Sequence, residues 1–163
     1  MAGVVWITGL SGVGKTTTAE LVRQRLARAG QPPVLLDGDR VRHVLADGPG
    51  FEVAERRRLA MVYARLAAEI ASQGHLVVCA TVSLFHSVHE WNREHLPGYL
   101  EVWLNASPEA LRSRSEVYRR TDVVGVDIAA EFPRSPHLAV DTTTTRPDDV
   151  ADRIIALVGR TGR

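Results

Sequence analysis

Gly9-Leu10-Ser11-Gly12-Val13-Gly14-Lys15-Thr16 is the stretch on which the fold turns. It fits G-x-x-x-x-G-K-[ST] without a gap, a pattern whose glycines let successive backbone N–H groups curl inward around a phosphate. Lys15 brings a compact positive charge to the outer phosphates, and the Thr16 hydroxyl is a ligand for Mg2+. An apolar run at residues 4–8 precedes the loop and a helix-like segment at 15–29 follows it. The mechanism requires that context, because the helix start adds the positive end of its dipole to the same phosphate. The expected ATP-binding set is Gly9, Leu10, Ser11, Gly12, Val13, Gly14, Lys15, Thr16 and Thr17.

Outward from the loop, short apolar runs alternate with longer helical patterns. Residues 4–8, 33–36, 75–82, 99–105 and 137–140 read as strands, most of them apolar at successive positions, as strands buried on both faces are. Residues 15–29, 54–72, 88–95, 108–115 and 148–158 read as helices. Gly30 and Gly74 stand where helices should stop, and Ser107-Pro108-Glu109 supplies an N-cap, a first-turn proline and an early acid. The fold class predicted is α/β, a three-layer P-loop NTPase fold with a five-stranded parallel sheet in a single domain over 1–163. Residues 115–136 have weak periodicity and two prolines, and a connection of that length in a compact domain reads as a short functional lid.

The second strand leads into Asp37-Gly38-Asp39, then Arg40-Val41-Arg42-His43. Ligands of open α/β sheets bind outside the carboxyl ends of the strands, so both carboxylates fall beside the phosphate loop. Asp37 and Asp39 can share two tasks, holding hydrated Mg2+ (Asp37 through water) and taking the acceptor's proton. Arg42, three residues past Asp39, lies on the same side of the helix that follows.

Composition bounds what else the chain can do. It has 163 residues, 45% hydrophobic and 24% charged, with a formal net charge of +1. That balance predicts no broad nucleic-acid-binding surface. Cys79 is the single cysteine, so no intrachain disulfide forms, and its apolar run 76–80 predicts a small buried hydrophobe. No run approaches the roughly 20 apolar residues needed to cross a membrane, and no basic region or cleavage site precedes residues 4–7. The expected compartment is the cytoplasm. A phosphate loop alone does not fix a reaction. A regulatory GTPase also needs N-K-x-D, which is missing, and D-x-x-G at 122–125 falls too late in the chain. A non-catalytic nucleotide-binding module stands as the alternative to a kinase.

The sequence resembles the adenylyl-sulfate kinase family. Trp6-Ile7-Thr8-Gly9-Leu10-Ser11-Gly12 with Gly14-Lys15-Thr16 is similar to that family's opening, and Leu36-Asp37-Gly38-Asp39 with Val41-Arg42-His43 to its second signature. Gly50-Phe51 with Glu55-Arg56 resembles its G-F…D-R segment, and Ser83-Leu84-Phe85 its S-P-F loop. Val124-Gly125-Val126-Asp127 resembles the lid's end, and Val140-Asp141-Thr142 the final strand. The resemblance implies ATP- and Mg2+-dependent phosphorylation of a nucleotide's ribose 3′-hydroxyl, usually within a homodimer. It implies Asp39 as the base and Arg42 and Arg56 on the acceptor's anionic end. It also implies that Phe51 and Phe85 flank the acceptor's base, with Ser83, Leu84 and His86 in the same loop, and that Arg114 lies over the ATP adenine.

Two positions and one segment depart from the family. His86 stands where it has arginine, Leu59 where it has asparagine, and the lid between Arg114 and Gly125 is several residues shorter. Ser83-Leu84-Phe85, Glu90-Trp91-Asn92-Arg93 and Tyr99-Leu100-Glu101-Val102 also resemble the bacterial cytidine diphosphoramidate kinases, a sister group, as does the stretch 123–128. Three acceptors stay open: a nucleotide related to adenylyl sulfate, a cytidine diphosphoramidate-like nucleotide, or a simpler alcohol. His86 and His89, three apart, are read either as anion contacts or as a solvated helix end, without the third ligand a metal site needs. Arg119 and Arg120, on the lid, are read either as groups that meet the transferring phosphoryl on closure or as charges in water.

Overall fold

The computed structural model of the chain describes residues 3–45 and 52–161. Strand β1 (Gly3–Thr8) is buried at every position and sits at the middle of the sheet. Its side chains alternate. Val5 and Ile7 enter one apolar cluster, Val4 and Trp6 the other, as the period-2 geometry of a strand requires. Around β1 lie β2 (Val34–Asp37), β3 (Leu76–Thr81), β4 (Leu100–Asn105) and β5 (Leu138–Asp141), in the order β2-β3-β1-β4-β5 with every pairing parallel.

Helices cover both faces. On one, α1 (Lys15–Arg28) packs with α6 (Pro147–Thr161), and Val22, Leu26 and Ile154 meet Val5, Ile7 and Val78. On the other, α3 (Val53–Ser72) lies against the sheet beside α4 (His86–His95). Ala60, Ala64, Ala67 and Ala71 recur along the buried face of α3 at helical spacing, and their small side chains let the helix approach Trp6, Val77 and Cys79. Cys79 is wholly buried, and burial pushes its thiol well above the usual range, so it packs as a small hydrophobe.

The strands fall within two residues of their expected bounds. Two short helices complete the set, α2 (Gly38–Val44) directly after β2 and α5 (Pro108–Arg114) after β4. Ser107 caps α5 through a hydrogen bond from Ala110 N. α2 escapes periodicity because Gly-Asp-Arg-Val-Arg-His-Val has almost no apolar stripe. From α5 to β5 the chain forms a 3-10 helix at Glu116–Arg119 and an isolated bridge between Val124 and Ile128. Among the described residues no helix is long and apolar enough to cross a membrane.

Candidate functional site

A cavity of about 610 Å³ opens where β1, β2 and β3 end, lined by the phosphate loop on one side and by α2, α3 and the β3–α4 loop on the other. Ser11 through Thr17 line it, whereas Gly9 and Leu10 do not. Gly9 must be glycine, because a Cβ there would run into the Leu104 carbonyl and the Val13 side chain. Gly14 caps α1 with φ 98, a left-handed conformation open to glycine at no steric cost. The first turn of α1 therefore starts at the loop, where the N-terminal N–H groups of a helix lack intrahelical partners and favour an anion.

Lys15 is half-buried and donates from Nζ to the Leu10 carbonyl at 2.9 Å. Desolvation lowers its ammonium to about 8, against the pull of Asp39 and Asp37, so it is charged at neutral pH but poorly solvated. Thr16 donates to Asp37 Oδ2 at 2.7 Å. Asp37 Oδ1 accepts from Asp39 N and Arg40 N at 3.0 and 3.3 Å, which caps α2. Both oxygens of this buried carboxylate are thus engaged. Asp39, the other acid lining the cavity, is exposed.

Among the described residues no cluster of three or more His, Cys, Asp or Glu side chains could cage a metal. That donor set fits Mg2+, which binds through one or two protein groups while phosphates and waters complete the octahedron. Thr16 and, through water, Asp37 are the groups placed to hold it.

On the far side, Arg42 and Arg56 line the cavity with Leu59, Tyr63 and Phe85. Desolvation, with the neighbouring Arg42 charge adding to it, lowers the Arg56 guanidinium from its usual range. Ser83 and Leu84 line it too, and Ser83 takes φ 31, rare for a residue with a side chain. The loop is held at successive residues. Thr8 bonds the Val82 carbonyl, Ser83 Oγ pairs with Thr81 Oγ1 at 2.7 Å, and His89 Nε2 meets Ser83 O at 3.0 Å. Phe85 is 6% exposed, with the Arg57 guanidinium 5.2 Å from its ring centroid.

His86 turns away from the cavity. Its Nε2 lies 2.9 Å from Phe132 O and its Nδ1 3.6 Å from Glu131 Oε1, while Glu131 N donates to Leu84 O. His89 is neither an anion contact nor part of a solvated helix end. It is 4% exposed, and burial lowers its imidazole, so the neutral ring donates Nε2–H to Ser83 O. Arg119 pairs with Glu116 and is exposed, as is Arg120, and neither lines the cavity. Arg114 does line it, and bonds Thr142 O at 3.0 Å. Gly50 and Phe51 lie outside the described residues.

The connection from α5 to β5 touches each part of the site in turn. Ser115 Oγ meets Ser11 Oγ at 3.1 Å and Tyr118 donates to Ser11 O at 2.6 Å. Farther on, Arg56 donates to Asp122 O at 3.0 Å, and Val124, Ile128 and Ala129 line the cavity. Tyr63 escaped the sequence reading. Its signal was spacing, because Arg56, Leu59 and Tyr63 stand at i, i+3 and i+7 on one face of α3.

A family profile described as adenylylsulphate kinase matches residues 1–141. The adenylyl-sulfate kinase of Paraburkholderia xenovorans is 32% identical over 98% of this chain and 94% of its own length. The bifunctional enzyme NodQ of Azospirillum brasilense is 34% identical over 98% of this chain, which spans 27% of that protein. A cytidine diphosphoramidate kinase of Campylobacter jejuni is 29% identical over 81% of this chain and 82% of its own length. Among solved structures, the Mycobacterium tuberculosis APS kinase CysC in complex with AMPPNP and APS is similar at a TM-score of 0.84. It is 27% identical, covering 97% of this chain and 98% of that one.

Proposed function

The chain belongs to the adenylylsulphate kinase family, and from that premise we propose that it moves the γ-phosphoryl group of ATP to the ribose 3′-hydroxyl of a nucleotide related to adenylyl sulfate. It is an ATP-dependent kinase with a P-loop fold. The observation that carries the reading is the division of labour between two acids. Asp37 is buried, caps α2 and accepts from Thr16, so Asp39, exposed in the cavity, is the carboxylate better placed to act as base.

Lys15 and the backbone N–H groups of the loop hold the β- and γ-phosphates, and Arg114 borders the nucleotide end of the cavity. Mg2+, when bound, draws charge from the phosphates and aligns the γ-phosphoryl group for in-line attack. Arg42 and Arg56 hold the acceptor's anionic end and Phe85 its base. Asp39 takes the hydroxyl proton as the acceptor oxygen bonds to Pγ, and the bond from Pγ to the β–γ bridging oxygen breaks to release ADP. Residues 115–136 are the lid, already fastened to both halves of the site. The protein acts as a homodimer, as the resemblance implies. A cytoplasmic location fits a kinase that draws on the ATP pool and keeps its one cysteine buried.

One observation favours a second acceptor. Leu59 adds an apolar wall and His86 faces Phe132, so neither offers adenylyl sulfate the polar contact of the family's asparagine and arginine. A cytidine nucleotide bearing a phosphoramidate is the alternative. An ADP-release screen over adenylyl sulfate, cytidine nucleotides and simple alcohols separates these readings, with the phosphorylated position assigned by NMR. ADP release that no acceptor stimulates would reject the kinase in favour of a nucleotide-binding module.

A further inference from the structure

The geometry points to Tyr63 as a positioning residue for the acceptor half of the site, an inference that rests on the phosphoryl-transfer reading above. Helix α2 carries both Asp39 and Arg42, yet Gly38 is its only buried residue. Val41, half-buried, packs on the apolar cluster beneath α3, and polar contacts at the N-terminus of α2 hold its backbone beside it. On one side Asp37 accepts the Asp39 and Arg40 N–H groups. On the other, Tyr63 Oη donates to the Gly38 carbonyl at 2.8 Å.

The donor is a fixed point. Tyr63 is 5% exposed, and its helix is seated on the sheet through Ala60, Ala64, Ala67 and Ala71. Burial raises its phenol to about 12, so it stays protonated and donating across the working pH range. Gly38 is gripped from the sheet side as well, where a Cβ would meet Thr81 Oγ1 at 3.1 Å and Thr81 Cβ at 3.2 Å. The peptide joining Gly38 to Asp39 is thus held between β3 and α3. The Tyr63 hydroxyl thereby opposes displacement of the first turn of α2. A misplacement of about 1 Å in a reacting group can cost roughly 10²-fold in rate.

Tyr63→Phe removes the hydroxyl and keeps the ring, so the core remains filled. With ATP and adenylyl sulfate as substrates, kcat/KM for adenylyl sulfate should fall about five- to tenfold while KM for ATP stays within about twofold. Hydrogen exchange of the α2 amides should quicken with α1 and α3 unchanged. Wild-type acceptor kinetics in the variant would overturn the inference. So would a matched rise in both KM values with a lowered Tm, which is the mark of a general core role. If the wild-type protein leaves adenylyl sulfate untouched, the acceptor reading fails on that arm alone. The exchange arm, which needs no acceptor, then decides for Tyr63: faster α2 exchange supports the tether, and unchanged exchange rejects it.

Discussion

Thr16 Oγ1 donates to Asp37 Oδ2 at 2.7 Å, so the residue proposed to meet the metal and the residue that caps α2 are joined by one hydrogen bond. The hydroxyl proton points at Asp37 while the oxygen lone pairs remain available to a cation. Through this bond the ATP half of the site is tied to the helix that carries Asp39 and Arg42. The two jobs of Asp37 can be separated by substitution. Asp37→Asn keeps a good N-cap and should hold most of the stability while raising the magnesium concentration needed for half-maximal turnover. Asp37→Ala should also cost about 0.5–2 kcal/mol of stability in denaturant unfolding. Equal magnesium requirements for wild type and both variants would remove Asp37 from the metal site.

Lys15 gives a prediction in pH. Its ammonium titrates near 8 in the free protein because burial strips its hydration, and bound phosphates should raise it again. The charged form is half-populated at about 8 and is lost as pH rises through that value, so ATP affinity is full well below it and declines above it. Between the free and bound values, binding must take up a proton. Titration calorimetry in two buffers of different ionisation enthalpy should show proton uptake at pH ~9 and almost none at pH ~6.5. The same shift has the opposite sign for folding. Between about 8 and the ordinary 10.5 the unfolded chain binds the extra proton, so this group favours the folded state more as pH rises there. Lys15→Ala should fold normally and lose phosphoryl transfer.

Asp39 and Asp37 are two residues apart but differ in what they can do. If Asp39 takes the proton, Asp39→Asn should cut kcat by roughly 10²–10⁴ with ATP binding little changed. Single-turnover measurement at saturating magnesium separates this from a metal role. Restored turnover at high magnesium would transfer Asp39 to the metal side.

Much of this was legible in the sequence. The phosphate loop fixes its own surroundings, and unbroken apolar runs such as residues 76–80 leave few alternatives to buried parallel strands. The order β2-β3-β1-β4-β5 was not legible, because helical crossovers of similar length permit several orders. Individual side chains diverged where local backbone decides direction. His86 follows Phe85 directly and stands at the family's arginine position, which placed it at the acceptor. Ser83 at φ 31 and the start of α4 at His86 send the two side chains different ways. His89 looked solvated on a polar helix, but it faces inward beside the buried Asn92 and the wholly buried Glu101 of β4. Glu101 accepts from Arg93 at 2.7 Å and from Tyr99 at 2.9 Å, a network that joins α4 to β4.

Leu59 and His86 yield the sharpest test of the acceptor, and the structure gives them different roles. Leu59 is 7% exposed and lines the cavity, so Leu59→Asn places an amide at the acceptor wall. That change removes a core side chain and should lower stability by roughly 2–4 kcal/mol, an effect visible in unfolding. If the acceptor wall sets specificity, the folded fraction should turn over adenylyl sulfate about tenfold better than wild type, the worth of one added hydrogen bond. His86→Arg should behave otherwise. His86 joins the β3–α4 loop to residues 131–132, and a longer cation at that place breaks the Phe132 contact before it can reach the cavity. Alone it should raise the acceptor KM. Combined with Leu59→Asn it should reduce the gain rather than add to it, because the lid loses one of its fastenings to the acceptor loop. Steady-state kinetics of the two single variants and the double variant form a cycle that reads this coupling directly. Efficient turnover of adenylyl sulfate by the unmodified protein at micromolar KM would reject the idea, since the apolar wall and the existing arginines would then suffice.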